Sequence, residues 1–423
     1  MRLANNKSIL LFILLFSLFT KFWGLGENPS YILDESLHVP AATNYLTSGH
    51  MLPDLWYHPP LKHVLLSGSM ALFGNTPIGW RVRNALFGFL SILLLYLLAR
   101  ELFPDERVAA LAAAFLATDP VHMLSSRSTG EEIAAILFML MFLYSLVRYL
   151  KGGILWLILA GICLGLALSC KWYFLPLAPA VMVFALWRKK QQEGWNPGTV
   201  ITIMLAFTCL PVCVYLLSFY PWFGRGYSLI EFYRMQIDAF QELRELQAGY
   251  FFNLVKADSG SALRWFMKPV LVLLGVSGEG PDHNRYQVFV NNFPIVALTL
   301  PAVAYAVLRI IKEGKRPWVT APDTASVSGS LALMSLVFIS LYAPMLIVSR
   351  PIFIYSMTTI LPPAYILIAF FITAAMDQGN VKKDLHVAII VIALLWGAYL
   401  FPLVSGRAVA IAAYDSLINA LLP

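Results

Sequence analysis

The sequence predicts an all-α polytopic membrane protein: about eleven transmembrane helices, with shorter helices lying at one membrane surface. Three observations carry this. Hydrophobic residues make up 59% of the chain and the mean hydropathy is +0.72, more apolar surface than a water-soluble core uses. Apolar runs long enough to cross a bilayer recur along the length. Lys and Arg gather in alternate loops, as they do on the cytoplasmic side of membrane proteins.

In order, the runs are 8–25, 84–100, 107–122, 132–150, 154–170, 172–187, 199–219, 292–310, 329–348, 351–374 and 384–402. The first lacks a small-residue cleavage site after it and is expected to remain as an uncleaved span. Arg2 and Lys7 precede it, and Arg100 and Arg107 flank the loop after the second run. Arg148 and Lys151 follow the fourth run, Arg188, Lys189 and Lys190 the sixth, Lys312, Lys315 and Arg316 the eighth, and Lys382 and Lys383 the tenth. Eleven crossings put all of these on one side, so the N-terminus is expected in the cytoplasm and the C-terminus outside. The net charge of +7 is then a feature of the cytoplasmic face, and no nucleic-acid partner is expected.

The same alternation places two large segments outside, within a single integral domain spanning 1–423. In the first, 26–83, residues 36–48 and 61–73 have helical apolar spacing but are too short to span, which suits helices in the membrane interface. In the second, 220–291, residues 229–246 form an amphipathic helix and 261–275 read as another interfacial piece, with Trp265 and Lys268 as anchors. The inner segment 312–328 is basic, then rich in Thr, Ser, Ala and Gly, as a linker would be. Cys163, Cys170, Cys209 and Cys213 all lie in apolar runs and read as small buried residues. The seven histidines show no H-x-x-x-H spacing, so no protein metal site is expected; no cofactor is predicted, and a divalent metal is left open.

Chemistry concentrates at the outer boundary. In a chain with only 13% charged residues, Asp34 and Glu35 stand side by side just after the first run. The same loop ends in His58-Pro59-Pro60, whose prolines stiffen the backbone. Arg81, Arg83, Arg127, Glu131, Glu132, Lys171 and Arg350 fall near other outer span ends. Ionisable groups at membrane depth are costly and face a cavity or a partner. Cations can hold an anionic lipid phosphate, and a carboxylate can take a proton from an attacking hydroxyl. With a phosphate as leaving group, one base suffices, unlike the paired carboxylates of glycoside hydrolases. This pattern points to glycosyl transfer from a lipid-phosphate sugar. A transporter or lipid flippase is the competing class; it would place its polar groups at mid-span on broken, paired helices.

The order of LDESLH at 33–38, YHPPLKHVLLS at 57–67, RVRNALFGFLSILLLYLLARELF at 81–103, DPVHMLSSR at 119–127, GLALSCKWYFL at 165–175, NNFPIVAL at 291–298 and RPIFIYSMTTILPP at 350–363 resembles the polyprenyl-phosphate-mannose protein O-mannosyltransferases, a GT39-like group of GT-C glycosyltransferases. The resemblance implies a GT-C bundle of about eleven transmembrane helices with a catalytic first outer loop. It implies inverting transfer of a sugar, mannose above all, from a polyprenyl-phosphate carrier to a protein Ser/Thr hydroxyl or a glycolipid such as lipid A or a cell-wall lipid. It casts Asp34 as general base with Glu35 beside it, and Arg83, Lys171, Arg127 and Arg350 as ligands of the carrier phosphate. His58, Pro59, Glu131 and Glu132 belong to the loop and acceptor side. The chain departs from the family in two places. Glu131 and Glu132 stand near a position where the family often has Asp, and Tyr355-Ser356-Met357 replaces an aromatic-His-Tyr pattern. The second outer loop is too short for a β-trefoil domain, which fits a bacterial type in the inner membrane.

Overall fold

The computed structural model describes residues 6–49, 58–245, 262–278, 283–314, 327–347, 352–379, 384–406 and 408–410. Seven helices among them are long and apolar enough to cross a membrane. The chain is an all-α multi-pass membrane protein, and helices occupy each of the eleven expected runs.

The first span is α1 (Asn6–Phe22). Two short helices of the first outer loop follow, α2 (Glu35–Ser48) and α3 (Leu61–Phe73), both too short to cross. α2 ends at Gly49 in the left-handed region, φ 72°, where a side chain would be strained. α4 (Pro77–Leu102) is the longest helix; Thr76 caps it by accepting from the Gly79 amide, and Pro77 sits in its first turn. α5 (Glu106–Thr118) and α6 (Pro120–Ser125) make one broken crossing, both capped by aspartates. Every residue of α5 from Val108 to Thr118 is buried, because its alanines let neighbouring spans approach closely.

α7 (Glu132–Lys151) descends again, and α8 (Ile154–Cys170) returns. α9 (Leu177–Glu193) follows a single turn at Trp172–Phe174. The next crossing is broken at Thr208 into α10 (Pro197–Phe207) and α11 (Cys209–Ser218). α8 packs on it through Gly161 and Gly165, four residues apart. A Cβ on Gly161 would stand 2.4 Å from the Ala206 carbonyl oxygen, and one on Gly165 would stand 2.6 Å from Val214. This is the small-residue contact of membrane helices, where bare backbone substitutes for side chains.

The second outer segment begins with α12 (Tyr220–Phe223) and α13 (Leu229–Glu245), the amphipathic helix expected there. Residues 261–275 depart from expectation. Ala262–Phe266 is a 3-10 turn, and the chain then enters β1 (Leu271–Gly278), which pairs antiparallel with β2 (His283–Val290). Leu271 to Leu273 and Val276 supply the β-branched and apolar content of a strand. Trp265 is fully buried, so it is a core side chain and not a surface anchor; Lys268 is exposed.

The remaining crossings are α14 (Phe293–Val296) with α15 (Thr299–Gly314), α16 (Val327–Ile347), α17 (Leu361–Gln378) and α18 (Leu385–Ser405). β3 (Ala408–Ala410) then adds to β2, giving sheet order β1-β2-β3. The linker expected over 312–328 falls mostly outside the described residues.

Residues of several basic loops meet at span ends. At one end Arg107 pairs with Asp377 at 2.8 Å, Arg148 and Lys151 converge on Glu101, and Gln192 donates to the Leu150 carbonyl. Those residues come from the basic loops of the sequence. The polar residues of the outer boundary meet at the other end.

Candidate active site

The first outer loop is fixed from below by one arginine. Arg81, in the first turns of α4, donates through Nε and Nη2 to both Glu35 oxygens, at 3.0 and 2.8 Å. Its remaining donors reach the carbonyls of Leu25, Asn28 and Ser30. The Ile32 amide donates to Glu35 at 2.9 Å. Burial pushes the Glu35 carboxyl up, against the opposing pull of Arg81. Glu35 thus holds the loop, which is one of the two positioning roles, acceptor or loop, that the resemblance gives it. The turn that results puts Leu33 at φ 54° and leaves Asp34 at the mouth of α2 with no capping bond from its side chain.

Asp34 is half-buried, whereas Glu35, Glu131 and Glu132 are buried. Its charge lies within electrostatic reach of His38, one turn along α2, and of Tyr355. Behind it stands a polar wall. Glu131, at the start of α7, receives Lys62 at 3.4 Å, Lys171 at 3.3 Å and the His38 ring at 3.5 Å. Burial alone would raise the Glu131 carboxyl; Lys62 and Lys171 outweigh it and hold it well below the usual range. Lys171 also pairs closely with Glu132, and its ammonium lies over the rings of Tyr173 and Tyr355, at 4.6 and 5.4 Å. Burial opposes the charge on Lys171, and the two glutamates more than restore it.

Three histidines complete the wall. His38 and His63 share a ring-nitrogen hydrogen bond at 3.2 Å. His58 is near enough to feel Lys62, Glu131, Lys171 and His38. Burial, and then Lys62, keeps His38, His58 and His63 neutral. Pro59 is buried just ahead of α3 and turns the chain so that Lys62 and His63 point inward. Phe289 of β2 packs near Tyr355, so the sheet backs the same wall. Among the described residues, no group of three or more His, Cys, Asp or Glu could hold a metal ion.

Two arginines expected at the carrier phosphate do other work. Arg83 spends Nη1 on the Lys62 carbonyl at 2.7 Å, Nη2 on the Thr129 carbonyl and Nε on Asn84. It ties the start of α3 to the strap ahead of α7. Arg127 donates to the carbonyls of Thr20, Lys21 and Trp23, capping the end of α1, and stacks over Phe401. Arg83 spends two of its donors on backbone carbonyls, and Arg127 spends Nη1 on three. Arg350 lies outside the described residues.

Sequence reasoning passed over His38, Lys62 and His63. A signal existed for the first, which stands four residues after Asp34 on the same helix face. Below the wall a second polar group sits inside the bundle. Asp119 accepts from the Tyr365 hydroxyl at 2.5 Å and from the His122 amide at 2.8 Å, and Lys21 is buried within reach of its charge.

A many-span bundle with a carboxylate-bearing first outer loop and interfacial helices defines a GT-C glycosyltransferase fold. The S. cerevisiae protein O-mannosyltransferase Pmt1-Pmt2 complex bound to the sugar donor shares that fold, with a TM-score of 0.76 at 13% identity over 96% of this chain and 91% of that one. ArnT from Cupriavidus metallidurans bound to undecaprenyl phosphate is more distant, with a TM-score of 0.51 at 15% identity over 99% and 77%. The family described as dolichyl-phosphate-mannose-protein mannosyltransferase matches residues 57–218. The polyprenol-phosphate-mannose–protein mannosyltransferase of Corynebacterium glutamicum is 28% identical over 264 residues, covering 51% of each chain. The chain spans about half the length of the curated relatives it matches. Within the GT-C class, the segment 57–218 is similar to the protein O-mannosyltransferases.

Proposed function

We propose that the chain transfers a sugar, mannose by analogy with its relatives, from a polyprenyl-phosphate carrier to an acceptor hydroxyl, with Asp34 as general base. The observation that carries this is the division of labour in the acid pair. Glu35 is locked on Arg81, while Asp34 is held half-open opposite a wall bearing Lys62 and Lys171. A carboxylate so placed can take the proton of an attacking hydroxyl. Lys171 is the cation best placed to meet the carrier phosphate, in exchange for one of its two glutamates. The phosphate leaves with its own charge, so no general acid is needed. Attack in line with the departing phosphate inverts the anomeric carbon.

The bacterial relatives and the basic loops at the opposite end support a site on the outer face of the cell membrane, with the N-terminus in the cytoplasm. A protein hydroxyl is the favoured acceptor, since the curated relatives named above are protein mannosyltransferases.

The test uses purified protein in lipid with radiolabelled polyprenyl-phosphate mannose, offered a membrane-protein extract and a lipid extract in parallel. Transfer by wild type into protein, lost by at least 100-fold in Asp34→Asn, is the expected result. Equal transfer by both proteins would remove Asp34 from the role. Label entering the lipid extract alone would move the acceptor to a glycolipid.

A further inference from the structure

Helix α13 divides into three sectors. Leu229, Ile230, Tyr233, Ile237 and Phe240 are all exposed and fall within about 100° of arc at 3.6 residues per turn. Glu231, Arg234, Asp238 and Gln241 occupy the next sector and are exposed too. Phe232, Met235, Gln236 and Ala239 form the third, turned toward the protein. Phe232 and Met235 pack on Phe219 and Trp222, in a cluster that also takes in Tyr45 of α2 and Val64 of α3. Tyr45 meets Tyr220 hydroxyl to hydroxyl. A helix buried on one side and bathed in water elsewhere needs two sectors, not three. Val212 and Leu217 of α11, the helix on which Gln236 docks through Tyr215, are exposed as well. The helix begins 11 residues beyond the end of that span.

The protein-facing sector also carries one polar side chain, and it is wired inward. Tyr215 of α11 donates to Gln236 Oε1 at 2.9 Å, and the Trp172 indole donates to the Tyr215 hydroxyl at 2.9 Å. Trp172 immediately follows Lys171. The single turn that holds Lys171 against Glu131 and Glu132 is thereby tied to α13 by two hydrogen bonds in series.

We propose that α13 lies in the outer leaflet on its Leu229–Tyr233–Ile237–Phe240 stripe and, through Gln236, Tyr215 and Trp172, positions the turn that carries Lys171. Tyr215 and Gln236 are positioning residues in this account. The second half of the proposal rests on the reading of Lys171 as the contact to the carrier phosphate; the first half does not. The occupant of the stripe is lipid, since the face is apolar, flanked by charge, and joined to a span that already faces lipid.

The test has three readouts, of which the first two do not depend on the carrier site. In nanodiscs, with Cys209 and Cys213 replaced by Ala, spin labels are placed singly by Tyr233→Cys, Phe240→Cys and Asp238→Cys. Labels at 233 and 240 are expected to be accessible to oxygen and shielded from a water-soluble nickel chelate, and the label at 238 the reverse. Chelate access at all three would overturn the seating in lipid, as would spin–spin broadening at 233 or 240, which would give the face to a second copy of the chain. Amide exchange over residues 171–175 is then compared by mass spectrometry. Tyr215→Phe and Gln236→Ala are expected to speed it at least fivefold, and Gln236→Glu, which keeps the acceptor, to leave it within twofold of wild type. Unchanged exchange in the first two variants would overturn the coupling. Finally, Kd for polyprenyl phosphate should rise at least fivefold in Tyr215→Phe. A wild type that binds no polyprenyl phosphate would sink the functional reading, while labels and exchange would still decide the role of α13.

Discussion

Arg81 and Glu35 form a bidentate pair in which neither side chain reaches solvent, and the same guanidinium holds three carbonyls of the loop that ends at Asp34. The pair therefore sets the backbone conformation of the loop that carries Asp34. Breaking such a pair strands a buried charge, which is worse than having neither partner.

Glu35→Gln and Arg81→Met should each cost about 3–5 kcal/mol of stability. The expected signature is a lower thermal midpoint in detergent for each single variant, with the double variant no worse than the poorer single. Additive losses would show that the two residues act separately.

Arg127→Ala should lower the thermal midpoint by removing the cap on α1, yet leave carrier binding by the folded protein within about twofold of wild type. Scintillation binding of labelled polyprenyl phosphate separates the two effects. A tenfold loss of affinity in fully folded protein would return Arg127 to the phosphate site.

Lys171→Met should weaken carrier binding by tenfold or more, whereas Glu132→Gln should strengthen it by freeing Lys171 from one of its two competitors. Titration with polyprenyl phosphate in nanodiscs checks both. Weaker binding in Glu132→Gln would mean that the glutamate holds Lys171 in its working position.

Stability should fall with acid in two stages. His38, His58 and His63 stay neutral when folded, but in the unfolded chain each takes up a proton below about pH 6.5. The unfolded state then binds more protons, so their contribution, complete above that pH, is lost as the pH falls. Glu131, held well below its ordinary value, adds a second loss below about pH 4.5. Thermal midpoints from pH 8 to 4 should trace this, and His63→Asn should flatten the first stage.

Gly161→Ala should destabilise by about 1–3 kcal/mol, because the added methyl meets the Ala206 carbonyl and no side chain can yield. Leu155→Ala, on the same helix but exposed, should cost less. Equal thermal midpoints for the two would remove the glycine contact from the account.

The spans were legible in the sequence because each is a long apolar run, and the polar end of the bundle because charge is scarce enough to stand out. The interfacial helices were legible from period alone. The β-hairpin was not, since VLVLL reads equally as strand or helix until its partner is known, and β2 lies beyond a turn. Roles within the site were hidden for a related reason. Arg81 and Arg83 are two residues apart and chemically identical, and only the structure shows that one meets Glu35 and the other the Lys62 and Thr129 carbonyls. Glu131 could be named, but not as the residue on which Lys62, Lys171 and His38 converge, because those partners come from three different helices or turns.

Lys21 bears on how the chain enters the membrane. It lies in the last turn of α1, fully buried, and the opposite charge nearest to it in space belongs to Asp119, almost a hundred residues later. A nascent α1 released alone into lipid would carry that ammonium without its counterpart, at a cost of a few kcal/mol. The first span thus gains its counter-charge only when the α5–α6 crossing has turned Asp119 inward. The opening helix of this bundle is electrostatically completed by the third crossing.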